Sequence, residues 1–435
     1  MVTQAMASWG RLSRAEHRVM GTGNRFDLAA VVSGSARPGL PFGNGRSYGD
    51  VCLNGGNTLW RMRDLDRFIS FDALTGVLVC EAGVLLHDII ELALPQGWFL
   101  PVTPGTRFAT IGGAIANDVH GKNHHRQGTF GEHVETLRLV RTDGSEIVCG
   151  PRKDPSWFSA TVGGMGLTGA IATATLRLRQ VPSPWIESRA EAFRSLGEFF
   201  QLAGERSAHH EYTVAWIDCK PNAKGNVRGI FFSGDHSASA KAPAKRATRR
   251  MPVDPPVSLV NDVVVRAFNT AYFASHARSK ATQLQDYRSF FYPLDDLLEW
   301  NRLYGSRGFY QYQCVVPKEV QADATEELLR IIGASGHGSF LGVLKTFDGR
   351  PPVGMLSFPM AGTTLALDFP NHNGVLELFS RLDAVVASAG GRVYAAKDAV
   401  SPRSLFERGY PLAPAFAPYR DPGIASDMSR RLFGY

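Results

Sequence analysis

Residues 163–169 read GGMGLTG, and the sequence that follows them strongly constrains the fold. The G-x-G-x-x-G spacing in this stretch is typical of nucleotide-binding βαβ units, in which the last glycine opens a helix. Residues 170–178 instead read AIATATLRL, which is rich in β-branched residues and partly alternates in polarity. This pattern predicts a strand. We therefore predict that these glycines do not form a Rossmann nucleotide site and have another role.

Two hairpins and a helix are predicted in the first third of the chain. Apolar runs at residues 68–71 and 77–80 flank one turn, and residues 134–140 and 146–149 flank an Asp-Gly turn. Residues 85–94 have the apolar spacing of a helix. Small sheets with packed helices are typical of an α+β fold, so we predict that class rather than regular βαβ winding.

The composition describes a folded protein with more than one domain. The 435 residues, 44% hydrophobic and 20% charged, exclude a wholly disordered chain and an integral membrane bundle. The uncharged residues 155–176 contain four glycines and are interpreted as buried loop and strand. Residues 1–19 lack an apolar signal-peptide core, and the five cysteines are scattered. We therefore expect a cytoplasmic or peripherally membrane-associated protein without a disulfide framework.

The net charge of +7 favours anionic partners, and part of it is concentrated in one segment. Residues 237–256 read SASAKAPAKRATRRMPVDPP and carry Lys241, Lys245, Arg246, Arg249 and Arg250. Two interpretations remain open: a solvated linker, or a mobile loop that faces a membrane or closes over a site. No nucleic-acid-binding motif accompanies these cations, so we predict no nucleic-acid partner.

Three glycine-rich loops lie between the predicted elements, at residues 41–50, 104–114 and 163–169. Glycine allows the backbone to approach a ligand closely and to present several N–H groups to phosphate oxygens. Each loop taken alone is better explained as a tight turn. Together, the three loops could enclose one cofactor that contains a pyrophosphate.

The segments GNGRSYGD, PGTRFATIGGAIANDVHGKNHH and WFSATVGGMGLTGAI, in this order, resemble the vanillyl-alcohol-oxidase-type flavoproteins. Within that superfamily the chain is most similar to the decaprenylphosphoryl-ribose 2-oxidases. The resemblance extends from Trp9 to residues 425–432, and its most specific part is HGKNHH combined with YAAKD at residues 394–398.

This resemblance implies FAD, held by a two-part domain of residues 1–183 and 392–435. It also implies an inserted substrate domain, residues 184–391, built on an antiparallel sheet. Many members of the superfamily attach FAD through a histidine in the first glycine loop. Residues 41–50 contain no histidine, so we expect noncovalent FAD.

The matching positions give two sets of expected contacts. For FAD they are Pro41, Phe42, Gly43, Asn44, Gly45, Arg46, Ser47, Tyr48, Gly49, Asp50, Val51, Gly105, Thr110, Ile111, Gly112, Gly113, Asn117, Asp118, Val119, His120, Ile171 and Tyr394. For the substrate they are Gln313, Lys345, Ala366, Asp368, Lys397 and Trp216.

Oxidation of a secondary alcohol needs a hydride acceptor, an acceptor for the hydroxyl proton and positive charge near the reduced flavin. The resemblance implies Lys397 for orientation or charge, Tyr48 as an alternative proton relay, and His120 against the flavin. A surface lysine and a core histidine are the structural alternatives. His120, His124 and His125 cluster without carboxylate or thiol ligands at zinc spacing, so no metal is predicted.

The function implied is FAD-dependent oxidation of the C2 hydroxyl of polyprenylphosphoryl-β-D-ribose to a 2-keto intermediate. A separate NAD(P)H-dependent keto-reductase would complete epimerisation to the arabinose donor for cell-envelope glycan, and an anionic membrane would be a peripheral partner.

Mycobacterial members carry Cys and Asn where this chain has Ala366 and Thr364, so the pocket edge differs. The alternatives are a soluble alditol or sugar-lactone oxidase, and a noncatalytic basic module that binds membrane or nucleic acid.

Overall fold

In the computed structural model, which describes residues 2–219, 227–239, 241, 248–278 and 281–434, three β-sheets of four, five and eight strands organise the chain. The strands within this described part are β1 Val2–Ala5, β2 Glu16–Gly21, β3 Gly39–Phe42, β4 Thr58–Arg61, β5 Phe68–Asp72, β6 Val77–Glu81, β7 Trp98–Phe99, β8 Val134–Val140, β9 Glu146–Cys149, β10 Ala170–Arg177, β11 Arg179–Gln180, β12 Trp185–Phe193, β13 Tyr212–Asp218, β14 Arg228–Ser237, β15 Arg249–Arg250, β16 Gln283–Asp286, β17 Leu297–Leu298, β18 Phe309–Pro317, β19 Gly342–Phe347, β20 Gly362–Pro370 and β21 Arg392–Val393.

Helices pack against these sheets and account for most of the remaining core. Over the same described ranges they are α1 Leu28–Gly34, α2 Leu86–Ala93, α3 Ile111–Ala116, α4 His124–Gln127, α5 Pro155–Thr161, α6 Leu196–His209, α7 Asp262–Ala277, α8 Tyr287–Phe291, α9 Gln321–Ala334, α10 Val375–Ser388, α11 Arg403–Gly409, α12 Ala413–Phe416 and α13 Asp427–Phe433. The mixture of helices with largely antiparallel sheets is an α+β fold, as predicted.

The five-stranded sheet has the order β5-β6-β10-β8-β9, and every neighbouring pair in it is antiparallel. Both predicted hairpins are confirmed as β5–β6 and β8–β9. The strand predicted after residues 163–169 is β10, which lies at the centre of this sheet. A helix is therefore excluded after these glycines, and the prediction against a Rossmann site is confirmed.

One expectation for this region was wrong. The uncharged residues 155–176 were predicted to be loop and strand, but their first part forms α5. Pro155 occupies the first turn of this helix, where its missing N–H costs no hydrogen bond and its fixed φ favours helix. Burial of Phe158 then holds the short helix against the core.

The eight-stranded sheet is antiparallel, with the order β16-β12-β14-β13-β19-β20-β18-β21. Alternate residues of β20 face opposite sides, as the pleat of a strand requires. Leu365, Leu367 and Phe369 pack in one core cluster with α6, α9 and α10. Thr364 and Ala366 point to the other side and line a cavity. This sheet therefore has one face covered by helices and one face that forms a wall of the candidate site.

The end of the chain returns to its beginning. Strand β21 pairs with β18 at the edge of the large sheet. Helix α13 then packs on the four-stranded sheet, whose order is β1-β2-β4-β3, through Met428 and Leu432. The glycine loop after β3 is thereby covered by residues from the other end of the chain.

The basic segment at residues 237–256 is only partly described. Lys245 and Arg246 lie outside the described residues. Arg249 and Arg250 form β15, a short parallel pair with β17, and Asp254 accepts hydrogen bonds from Arg11. Among the described residues, no helix combines the length and the apolar composition needed to cross a bilayer.

Candidate active site

A cavity of about 430 Å³ lies between the open face of the large sheet and the glycine-rich loops. Residues expected to contact FAD that line it are Pro41, Gly43, Asn44, Gly45, Arg46, Ser47, Tyr48, Val51, Gly105, Thr110, Gly112, Gly113, Asn117, Val119, His120, Ile171 and Tyr394. Residues expected on the substrate side that line it are Gln313, Lys345, Ala366, Lys397 and Trp216. The structure thus brings most residues of both expected sets together around one space.

Two residues of the first glycine loop lie behind the cavity wall and hold the loop in place. The Asp50 carboxylate accepts hydrogen bonds from Arg431 Nε at 2.9 Å and Nη2 at 2.8 Å. Burial raises the pKa of Asp50 to about 6 in spite of this ion pair. A Cβ on Gly49 would lie 1.6 Å from the carbonyl oxygen of Asp398, so only glycine fits there.

The remaining expected residues that do not line the cavity are also supports. Asp118 has a φ of +39°, and its carboxylate accepts hydrogen bonds from Ser357 Oγ at 2.5 Å and Gly131 N at 2.9 Å. Burial raises the pKa of this carboxyl to about 6. Phe42 and Ile111 are buried in core clusters.

The glycine loops leave room for a ligand at some positions and contact each other at others. A Cβ on Gly105 or Gly166 would meet nothing within 4 Å, so backbone is exposed to the cavity there. A Cβ on Gly43 would lie 2.7 Å from Thr110 Oγ1, which joins the first loop to the second. Thr110 also caps α3 by accepting a hydrogen bond from Gly113 N at 3.1 Å.

A buried polar atom with no protein partner also lies beside the loops. The side-chain oxygen of Asn117 makes no hydrogen bond among the described residues, whereas its side-chain nitrogen donates one to the carbonyl oxygen of Gly113 at 2.9 Å. The backbone oxygen of Asn117 accepts a hydrogen bond from the Tyr394 hydroxyl at 2.8 Å. An unpaired buried acceptor beside open glycine backbone fits a cofactor that donates hydrogen bonds, such as FAD.

His120 lies at the junction of the loops and the large sheet. Its Nε2 is 3.1 Å from the side-chain nitrogen of Gln313, and its Nδ1 is 3.0 Å from Lys345 Nζ. The ring packs edge-on against Phe347 at 4.9 Å between centroids. Burial, reinforced by the nearby Lys345 charge, lowers the pKa of His120 well below its usual value. The imidazole is therefore neutral at physiological pH.

Three half-buried lysines, together with Arg46, contribute positive charge to the cavity. Burial lowers the pKa of Lys122 and Lys345 to about 7 and that of Lys397 to about 8. Each lysine also lines the cavity. Partly neutral amines in a cavity can exchange protons near neutral pH, and an anion bound beside them would favour their charged forms.

Lys397 belongs to a smaller group with Tyr48 and Asp368. Its Nζ lies 3.9 Å from the centre of the Tyr48 ring. Asp368 is fully buried behind the cavity wall, and its Oδ1 accepts a hydrogen bond from Gln311 at 2.5 Å. Burial raises the pKa of Asp368 to about 7, and the positive charge of Lys397 opposes that rise. Burial of the Tyr48 hydroxyl likewise raises its pKa well above the usual value.

Sequence reasoning missed several contributors to this site, among them Lys122, Gln311 and Tyr272. Gln311 lines the cavity beside Gln313, and Tyr272 of α7 reaches the cavity next to Trp216, at 4.8 Å between ring centroids. The alternation of polar and apolar residues in β18 could have identified Gln311. No local pattern marks Tyr272, because its position depends on how α7 packs on the sheet.

The histidines after His120 have structural partners. His124 Nδ1 lies 3.4 Å from Asp348 Oδ1, and His125 Nε2 is 2.9 Å from the carbonyl oxygen of His210. Within the described ranges, no group of three or more histidine, cysteine or acidic residues is arranged to hold a metal ion.

Comparison with known proteins also indicates an FAD-binding oxidase. The profile of a family described as "FAD binding domain" matches residues 26–150. Decaprenylphosphoryl-beta-D-ribose oxidase of Mycolicibacterium smegmatis is 36% identical over 99% of this chain and 97% of its own length. An uncharacterized protein of Streptomyces coelicolor is 33% identical over 80% of this chain and 100% of its own length. A D-lactate dehydrogenase of Anaerostipes hadrus is 29% identical over 35% of this chain and 32% of its own length.

The glycine loops around the cavity agree with the matched FAD-binding family and with the similarity over nearly the whole length. The chain belongs to the decaprenylphosphoryl-β-D-ribose oxidase family and is an FAD-dependent oxidoreductase.

Proposed function

We propose that this chain oxidises the C2 hydroxyl of a polyprenylphosphoryl-β-D-ribose to the 2-keto intermediate. The single observation that supports this most is the 36% identity over 99% of the chain to a ribose oxidase of that substrate class. The large sheet, with its residues between 184 and 391, would be the substrate domain inserted into a two-part FAD domain. Conversion to the arabinose donor for cell-envelope glycan would then need a separate keto-reductase that uses NAD(P)H.

FAD would be held without a covalent bond by the three glycine loops and by Asn117. When bound, FAD accepts the hydride from the alcohol carbon. The first loop has no histidine for attachment. Cys52 lines the cavity, but burial raises the pKa of its thiol to about 12, which leaves almost no thiolate for bond formation.

The proton chemistry would centre on Lys397. Burial lowers the pKa of its ammonium group, which favours the neutral amine, and the amine can accept the proton of the substrate hydroxyl at Nζ. Tyr48, whose pKa is raised, stays protonated and would orient Lys397 and donate a hydrogen bond rather than act as the base. Neutral His120 would contact Gln313 and Lys345 through its two ring nitrogens, one of which accepts a hydrogen bond while the other carries the ring N–H.

Lys122 and Lys345 would supply the positive charge that an anionic substrate needs. Binding a phosphate ester near them would raise their pKa, so that both become fully charged when the ligand is present. This gives a physical reason to favour a phosphorylated sugar over a neutral one. A soluble alditol or sugar-lactone oxidase remains the second candidate, since a putative D-arabinono-1,4-lactone oxidase of Neurospora crassa is 28% identical over 31% of this chain.

Peripheral attachment to an anionic membrane would fit a substrate with a lipid tail. The five cations of the basic segment, residues 237–256, would each contribute about 1 kcal/mol near an anionic leaflet. Replacing all five with glutamine is expected to weaken vesicle binding and raise the apparent KM for lipid substrate while FAD content stays normal. Unchanged vesicle binding and KM would instead support a solvated linker.

The direct test is anaerobic mixing of the FAD-loaded protein with a polyprenylphosphoryl ribose, followed by absorbance at the flavin band. We expect the oxidised band to bleach with the lipid-linked pentose. Alditols and sugar lactones, supplied at the same concentration, serve as comparison substrates. Bleaching by the free sugars alone would favour the second candidate, and persistence of the oxidised band with the lipid-linked pentose would contradict the proposal.

A further inference from the structure

Helix α7 exposes an apolar face to solvent. Val263, Val264 and Phe268 are 75%, 50% and 44% exposed, and Ala267 and Ala271 are also exposed. The spacing of these residues places them on one side of the helix, opposite the buried Val265, Asn269 and Phe273. The charged residues Asp262 and Arg266 form an ion pair and, by the same spacing, lie away from that side.

This face is an unusual feature for a water-exposed helix. Solvent-facing positions of a helix normally carry charged or polar side chains, and contiguous exposed apolar surface marks an interaction site. Two further apolar residues, Val257 and Leu259, are 62% and 44% exposed just before the helix. We call the exposed apolar side chains of Val257, Leu259, Val263, Val264, Ala267, Phe268 and Ala271 the α7 face.

The α7 face is continuous with the wall of the active-site cavity. Phe268 stacks on Tyr272 at 5.7 Å between centroids and meets Phe340 at 5.6 Å. Tyr272 lines the cavity together with Trp216. Contacting aromatic rings, from Trp216 through Tyr272 to Phe268, therefore connect the substrate side of the cavity to the solvent-exposed side of α7.

Cations flank the chain segment that leads into this helix. Arg249 and Arg250 are exposed in β15, and Arg250 Nε lies 3.7 Å from Glu299. Arg302 pairs with the same carboxylate at 2.8 Å, and Asp254, in the same segment, pairs with Arg11. A positively charged border beside an apolar helix face is the composition of helices that lie in the interface of an anionic bilayer.

We propose that the α7 face docks on an anionic lipid bilayer and directs the mouth of the cavity toward it. Val263, Val264 and Phe268 enter the boundary between headgroups and acyl chains, while Arg249 and Arg250 contact anionic headgroups. A polyprenyl chain can then remain in the hydrocarbon while its sugar reaches Lys397. The last step rests on the proposed function, whereas the docking itself is tested independently.

The test uses full-length FAD-loaded protein and flotation with vesicles of phosphatidylcholine containing phosphatidylglycerol. The double substitution Val263→Glu with Ala267→Glu places two acids on the α7 face at exposed positions that contact neither FAD nor substrate. We expect the vesicle partition coefficient to fall by about tenfold or more, because the acids resist burial and are repelled by anionic headgroups. FAD content and thermal stability are expected to match those of the wild type.

The matched control is Leu376→Glu with Ala384→Glu on α10. Both positions are exposed, and α10 covers the opposite face of the large sheet, so this variant carries the same charge change away from the α7 face. We expect its partition coefficient to equal that of the wild type. An equal loss in both variants, or none in the α7 variant, would overturn the proposal.

Two further measurements separate the alternatives. If the α7 variant keeps its vesicle partition but changes its sedimentation coefficient, the face joins two copies of the chain and the bilayer proposal is wrong. Turnover of a water-soluble, short-chain prenylphosphoryl ribose tests the proposed function alone. We expect the wild type and the α7 variant to oxidise it equally, and failure of the wild type would contradict the proposed function without affecting the docking result.

Discussion

The ammonium nitrogen of Lys397 lies 3.9 Å from the centre of the Tyr48 ring, although the two residues come from opposite ends of the chain. Backbone contact supports this placement, since Tyr48 N donates a hydrogen bond to the carbonyl oxygen of Ala396 at 3.4 Å. The first glycine loop and the turn after β21 are therefore one structural unit. Lys397 owes its position in the cavity to this unit.

Replacing Lys397 with alanine is expected to leave FAD binding intact and to slow flavin reduction by substrate about 100-fold or more, because the variant lacks the group that accepts the proton. Anaerobic stopped-flow absorbance measures the rate, and the absorbance ratio of flavin to protein measures FAD content. Lys318→Ala changes an exposed lysine and serves as the control. Normal reduction in Lys397→Ala would remove this residue from the mechanism.

The stability of the flavin-free protein should increase from pH 7 to pH 8. Folding lowers the pKa of Lys122 and Lys345 to about 7, whereas an unfolded lysine titrates near ~10.4. The unfolded chain therefore binds more protons in this window, and the free energy of unfolding rises by about 1 kcal/mol or more. Asp368, whose pKa is raised to about 7, offsets a small part of this rise, and buried thiols with raised pKa, such as Cys80, act in the same opposing direction above pH 8.

Urea denaturation at the two pH values measures this slope. Lys345→Met is expected to reduce the rise, because one of the contributing amines is absent. The exposed Lys318→Met should leave the rise unchanged. Identical slopes in the wild type and Lys345→Met would show that Lys345 does not titrate in this range.

Electrophilic inhibitors that form a covalent bond with the pocket cysteine of mycobacterial relatives should bind this protein only reversibly. Ala366 lines the cavity and offers no thiol, and the nearby Cys52 thiol has its pKa raised to about 12. Ala366→Cys is expected to restore a stable adduct, detected by mass spectrometry of the peptide that contains residue 366. An adduct on that peptide in the wild type would contradict the expectation.

Replacing Arg431 with alanine should destabilise the first glycine loop. Arg431 also donates a hydrogen bond to Asp398 at 2.8 Å, so its loss leaves Asp50 and Asp398 without their shared cation. The Arg431–Asp50 pair is partly buried, so removing the arginine is expected to cost about 2 kcal/mol, between the costs for exposed and buried pairs, and weaker FAD retention should follow. Arg403→Ala breaks an exposed pair with Glu407 and should cost about 1 kcal/mol or less.

Local patterns predicted the parts of the fold that depend on neighbouring residues. Both hairpins and β10 follow from alternation and turn residues within short segments. Helix α5 was missed because its stability depends on burial of Phe158 and on Pro155 at its start rather than on a long apolar periodicity.

The candidate site likewise has features that the sequence predicts and features that depend on tertiary packing. The glycine loops could be identified from sequence, and the resemblance indicated Lys397 and His120. The hydrogen bond from Gln311 to Asp368 could not be predicted, because it requires the register that pairs β18 with β20. The neutral state of His120 was equally inaccessible, since its burial depends on residues from three distant parts of the chain.

Asp50 and Arg431 are separated by 381 positions, and this distance has a consequence during synthesis. The first glycine loop leaves the ribosome long before Arg431, the partner of the Asp50 carboxylate, is translated. Until then Asp50 has no cation to pair with, and a carboxylate without a partner remains hydrated rather than buried. We therefore expect nascent chains to bind flavin poorly and to acquire the cofactor only after Arg431 has emerged from the exit tunnel.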